Sequence, residues 1–258
     1  ANRRLEAAAR IIKQDLEAAA ESQQALLPAD LPRFPGYRFA YRSRPCIDVG
    51  GDSLNVFALD DDHLAVYVLD VSGHGVAAAL LSVTLTYLLL AAPDRSFLYH
   101  AAADGAGGYA VAGPAEVVAR LNGQFSPGSP MSRYFTMVYG VLSRRTGEFR
   151  YVAAGHLGPI HVGAGAAEIG ETTGIPVGVL ANAAYEERTI RLAPGDRLYL
   201  CTDGLYEAES AAQEEFGVDR LVDGLEASRG GARGGRGAAR AGGGGGWRGV
   251  AGAADDSS

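Results

Sequence analysis

Apolar positions along the chain change period several times, and each change marks an element. Leu5, Ala9, Ile12, Leu16, Ala19, Gln23 and Leu26 alternate spacings of four and three, a heptad seam with Glu and Arg on its flanks. Pro28 ends that pattern, so a helix is expected over residues 1–27. Its alanine-rich seam favours a paired, coiled-coil stub of a longer protein over a helix packed on its own core. Pro28 to Pro35 is too proline-rich for regular structure. Tyr37, Phe39 and Tyr41 then alternate with Arg38, Ala40 and Arg42, the pattern of a half-buried strand.

Leu54 to Leu59 is rich in strand formers, Asp60-Asp61-Asp62 makes an acidic turn, and Leu64 to Asp70 is a continuous apolar run. Together they predict a hairpin whose second strand is buried. Val76 to Ala92 is apolar nearly all round and is closed by Pro93. Such a helix is expected to be buried, packed across the sheet with its N-terminus near Asp70. Asp94 to Gly113 has no clean period and is expected to be a loop, as is Ser126 to Ser132. Between them, Pro114 at a first helical position starts the short amphipathic helix PAEVVARLNGQF. Arg133 to His156 predicts a second hairpin around Arg144-Arg145-Thr146-Gly147, and Leu198 to Cys201 a further strand after the Pro194-Gly195-Asp196 turn.

Ser228 to Gly249 is glycine, arginine and alanine of low complexity. Each glycine there costs about 1 kcal/mol relative to alanine in a helix. A flexible linker explains the tract better than RNA contact by its arginines.

Three apolar strands carry an aspartate beside glycine at one end: Asp52 in Gly50-Gly51-Asp52, Asp70 before Val71-Ser72-Gly73-His74-Gly75, and Asp203 in Thr202-Asp203-Gly204. Antiparallel pairing of the first hairpin brings Asp52 beside Asp70. Two carboxylates that close repel unless a cation lies between them. Hard cations such as Mg²⁺ and Mn²⁺ take carboxylate, carbonyl and water oxygens. Gly-Gly-Asp alone is ordinary turn chemistry; its repetition on strand ends favours a metal site. His156 after Ala-Gly at a strand end fits a structural histidine better than a catalytic base.

Composition narrows the class. A chain of 258 residues with 47% hydrophobic content can bury a full core. The formal charge of −7 argues against a nucleic-acid backbone as partner. Cys46 and Cys201, with no Cys-x-x-Cys spacing, suggest a reducing compartment and no thiolate zinc site. No signal-peptide pattern opens the chain. The run from Val76 to Ala92 is broken by Ser82, Thr84 and Thr86 and falls short of the roughly 20 residues of a membrane span. A cytoplasmic protein is expected.

Five blocks occur together: GGD (50–52), DVSGHG (70–75), YFTMVYG followed by AGH (134–140 and 154–156), GIPVG (174–178) and LAPGDRLYLCTDGLYEA (192–208). In these blocks the chain resembles the PPM-type metal-dependent serine/threonine protein phosphatases, in the bacterial SpoIIE-like, RsbU-like branch. ESQQALLPADLP (21–32) is similar to the family's segment joining a sensory module to the phosphatase.

The resemblance implies an α+β fold: an α-β-β-α sandwich of two packed antiparallel sheets flanked by helices, preceded by the coiled-coil-like helix. It implies a phosphatase domain over 28–227, a Gly/Arg-rich segment over 228–249, and a truncated end over 250–258 carrying Asp255-Asp256-Ser257-Ser258, similar to the start of the family's last metal motif. The final strand expected after that motif is absent.

The implied reaction is hydrolysis of phosphoserine or phosphothreonine by water activated between two Mn²⁺ or Mg²⁺ ions. Asp52 would bridge both ions, Asp70 and the Val71 carbonyl would complete one, and Asp203 with Asp255 the other. Where relatives outside this branch carry a proton-donating histidine, this chain has Ser72, with His74 two residues on. The implied substrate is a phosphorylated STAS-domain anti-sigma-factor antagonist in a stress-response pathway, and the implied assembly is a homodimer through the N-terminal helix. Two alternatives remain: a catalytically weak module of the same fold, and a two-metal phosphodiesterase.

Overall fold

The computed structural model describes residues 2–43, 49–93, 96–102, 108–129, 133–210, 212–228 and 250–254, with the backbone alone at 2, 5 and 250–254. Strand β3 (His63–Val71) shows how the layers arise. Its side chains alternate: Ala65, Tyr67, Leu69 and Val71 enter one core, and Leu64, Val66 and Val68 enter another. A strand apolar on both faces must be covered on both, and this one is.

β3 lies inside an antiparallel sheet ordered β10-β7-β6-β3-β2. The other strands of this sheet are β2 (Ser53–Ala58), β6 (Phe135–Ser143), β7 (Glu148–Ala154) and β10 (Arg188–Arg191), of which β2 and β6 flank β3. Both predicted hairpins are there, with Ser53 opposite Leu69 in β2–β3 and Met137 opposite Ala154 in β6–β7, and β3 pairs with β6 so that Val71 stands opposite Phe135. The face of odd-numbered β3 residues packs under α2 (Val76–Leu88) and α3 (Pro114–Phe125). The other face meets a second sheet through Leu54, Val56, Val138, Phe149, Leu198 and Leu200.

That second sheet is ordered β1-β12-β11-β8-β9. It comprises β1 (Arg38–Ala40), β12 (Val250–Ala254), β11 (Arg197–Cys201), β8 (Ile160–Val162) and β9 (Ala167–Ile169). Its outer face carries α4 (Val218–Ala227), with Leu221 against Ile160, Val162 and Cys201. The expected α-β-β-α sandwich is the architecture observed. The expected N-terminal helix is α1 (Asn2–Gln24). Among the described residues, no helix is long and apolar enough to cross a membrane.

The structure corrects three local expectations. The segment read as a loop contains a small hairpin, β4 (Tyr99–Ala101) with β5 (Tyr109–Val111). It is held from outside: Arg120 of α3 donates to the Phe97 and Tyr99 carbonyls at 2.8 and 2.7 Å. Helix α2 is not buried all round. Ala78, Leu81, Ser82 and Leu85 face the sheet, while Val76, Leu80 and Tyr87 are exposed, because a helix lying on one sheet turns only one side to it. Residues 250–254, read as part of the truncated end, form β12 between β1 and β11. Backbone pairing on both edges sets a strand there with no side-chain pattern to announce it. Residues 229–249 and Asp255 lie outside the described residues, and so do the linker and ligand expectations made for them.

Candidate active site

The β2–β3 register carries the two hairpin carboxylates together. One position beyond the Ser53–Leu69 pair, Asp52 stands opposite Asp70. Both are even-numbered and continue the rows Leu54–Val56 and Val66–Val68, which face the opposite sheet. Thr202 continues the matching row of β11 after Leu198 and Leu200. Its hydroxyl donates to Asp52 Oδ2 at 2.9 Å, joining the two sheets at this end. Asp203 follows at once and opens a single 3₁₀ turn, Asp203–Leu205.

Two neighbouring side chains feel the charges of these aspartates. Burial pushes the Tyr206 phenol up, and the negative charges of Asp203 and Asp70 add to it. Burial holds the His156 imidazole below its ordinary value, against the opposite pull of Asp203 and Asp52. His156 is buried, with Nδ1–H donating to the Leu157 carbonyl at 2.9 Å.

The glycine before Asp52 has a steric cause. A Cβ on Gly51 would lie 2.6 Å from the Val71 carbonyl oxygen and 3.2 Å from the Val71 nitrogen. Only glycine lets β2 approach β3 this closely at the end that bears both aspartates. The next residue, Ser72, gives its N–H and its hydroxyl to the Tyr134 carbonyl, at 3.3 and 2.7 Å.

Residue Gln23 is a contact that sequence reasoning missed. Its amide donates to the Gly50 carbonyl at 2.6 Å and to Ser82 Oγ at 2.8 Å, and its Oε1 accepts from the Gly50 N–H at 3.2 Å. A glutamine at a seam position signals a polar interruption, which here is turned onto the glycine loop beside Asp52.

The donors gathered here are hard oxygens: Asp52, Asp70 and Asp203. Burial pushes the Cys201 thiol up to about 12, so no thiolate is offered. Among the described residues, no three carboxylate, imidazole or thiolate side chains close on one ion. A cation held here would rely on one or two carboxylates, a carbonyl and several waters, which suits Mg²⁺ and Mn²⁺. The sequence-predicted Asp52, Asp70, Val71 and Asp203 are thus brought to one end of the sandwich. Ala254, the last described residue before Asp255, pairs with Arg197, at the end of β11 remote from Asp203.

The family model described as Stage II sporulation protein E (SpoIIE) matches residues 60–236. Protein IcfG of Synechocystis is 29% identical over 228 residues, covering 83% of this chain and 36% of IcfG. Phosphoserine phosphatase RsbU of Bacillus subtilis is 24% identical over 216 residues, covering 82% of this chain and 60% of RsbU. The chain therefore spans less than two thirds of either relative. Among solved structures, the SiaA-PP2C domain of Pseudomonas aeruginosa superposes with a TM-score of 0.68 at 20% identity, over 97% of this chain and 99% of that domain. That likeness gives the fold: the PP2C sandwich.

Proposed function

Because the chain belongs to the SpoIIE family, matched over residues 60–236, we propose that it is a metal-dependent phosphatase acting on phosphoserine or phosphothreonine of a partner protein. One observation carries this reading: the Asp52–Asp70 register, tied to the strand of Asp203 by the Thr202 hydrogen bond. Asp52, Asp70, Asp203 and the Val71 carbonyl would hold two Mn²⁺ or Mg²⁺ ions. Such ions, when bound, neutralise the phosphate and acidify a water for in-line attack. Thr202 orients Asp52, and the Gly51–Val71 approach holds the two hairpin aspartates at one spacing. Cys201 is buried and protonated, so no thiol nucleophile competes with water. Ser72 commits its hydroxyl proton to the Tyr134 carbonyl, so the leaving group takes its proton from solvent.

The phosphoserine phosphatase named among the relatives supports a phosphoprotein substrate, and a phosphorylated STAS-domain antagonist is the partner class proposed. Release of phosphate from a phosphoserine peptide, with Mn²⁺ and with chelator, tests the reading. Metal-dependent release is expected, with no cleavage of a cyclic dinucleotide. No release from any phosphoester would point to an inert module, and dinucleotide cleavage to a phosphodiesterase.

The homodimer is likewise a proposal, supported by α1. Ile11 and Ile12 are exposed on it, while Leu16 and Gln23 are half-buried. A free helix with that surface is marginal in water without a partner. Pairing there would be felt at Asp52 through the Gln23–Gly50 hydrogen bonds. Ile12→Asp places a charge in the seam and is expected to give monomers with altered turnover. Sedimentation decides it: a wild type that is monomeric at high micromolar concentration removes the dimer.

A further inference from the structure

Beside the carboxylate end, one rim of the surface is apolar and cationic. Phe135, opposite Val71 on β3, is also bridged to Val177, with paired N–H···O bonds of 3.1 and 2.9 Å. The segment after Val177 therefore runs along Tyr134 and Arg133. Its backbone is pinned by Asn122, which is only 2% exposed. The Asn122 amide donates to the Leu180 and Ala181 carbonyls at 2.9 and 3.1 Å. Its Oδ1 accepts from the Gly178 N–H at 2.8 Å and the Tyr185 hydroxyl at 3.2 Å. Gly178 sits at φ +88°, and a Cβ there would lie 2.4 Å from the Arg133 carbonyl oxygen.

On this backbone Tyr134, Val179 and Leu180 stay 52%, 46% and 56% exposed. Grouped apolar side chains on a rigid surface mark contact sites rather than slack packing. Arg133 is exposed beside them and has no ion pair among the described residues. The rim is joined to the candidate centre by the Ser72–Tyr134 bonds, one residue past Val71. A chain of net charge −7 repels a phosphorylated ligand, so the Arg133 cation at this lip supplies local attraction.

We propose that Arg133, Tyr134, Val179 and Leu180 dock the substrate protein: Arg133 attracts the phosphorylated residue, and the apolar three take an apolar side chain next to it. This rests on the phosphatase reading and gives it a sequence preference. The test uses two phosphoserine peptides, one with leucine and one with asparagine beside the phosphoserine, and p-nitrophenyl phosphate as the small reference, all with Mn²⁺.

Wild type is expected to favour the leucine peptide. Leu180→Asp should lower kcat/KM for that peptide about tenfold, mainly through KM, and erase the preference. Arg133→Glu, which acts on the phosphate that all three carry, should weaken all three. Losses on p-nitrophenyl phosphate should be several times smaller than on the leucine peptide in Leu180→Asp. Equal losses on all three substrates in Leu180→Asp, or no loss in either variant, overturn the proposal. A wild type that hydrolyses none of them refutes the phosphatase reading, and the rim falls with it. If Leu180→Asp instead converts a dimer to monomers in sedimentation and leaves the leucine preference intact, the rim is a contact between copies and the proposal is wrong.

Discussion

Asp52→Asn and Asp203→Asn should each cut Mn²⁺-dependent turnover roughly a hundredfold or more, since loss even of a metal ligand's supporting partner costs about 10–100-fold. Each change removes one negative charge from the proposed site of three aspartates and one carbonyl, while keeping side-chain volume. The fold should survive, because neither residue belongs to the packed cores. Without metal, the variants should melt no lower than wild type, since one member of a like-charged group has gone. Added Mn²⁺ should raise the melting temperature of wild type and do so far less in the variants, because only a bound ion stabilises the native state. Calorimetric titration with Mn²⁺ separates lost metal from lost chemistry. Wild-type turnover in either variant would overturn the assignment of that residue.

The second large effect is expected at Gly51. In Gly51→Ala the new methyl meets the Val71 carbonyl oxygen at 2.6 Å and the Val71 Cβ at 3.1 Å. The carbonyl is backbone in a paired strand, so no rotamer change relieves the contact. β2 must move away from β3 at the end carrying Asp52 and Asp70. The expected cost is about 1–3 kcal/mol of stability, with loss of most Mn²⁺-dependent activity. Gly50→Ala separates crowding from the loss of a glycine: its added carbon meets nothing nearer than the Asp52 nitrogen at 3.9 Å. It should melt within about 1 kcal/mol of wild type. Equal melting and turnover in Gly51→Ala and wild type would show that the close approach is not needed.

Periodicity made the elements that pattern themselves legible. The β2–β3 and β6–β7 hairpins and α3 alternate or repeat within a dozen residues, so burial on one face is written locally. The aspartates at strand ends were legible for the same reason, because register follows from the hairpin turn. Apart from β1, the small strands were not. β4, β8 and β9 hold three residues each, too few for a period, and β12 is small-residue chain paired on both edges. The exposed side of α2 was hidden because hydrophobicity states what can be buried, not how much sheet is available to cover it.

The amino-acid sequence by itself determined the hairpins, their facing aspartates and the blocks that mark the family. Only the tertiary structure decided that Thr202 reaches Asp52 across 150 residues of chain, that Gln23 leaves its seam to hold Gly50, and that Asn122 pins an exposed rim beside Val71. Local patterns record which side of an element is dry. Contacts between distant elements depend on how whole sheets and helices stack, and no short stretch of chain encodes that.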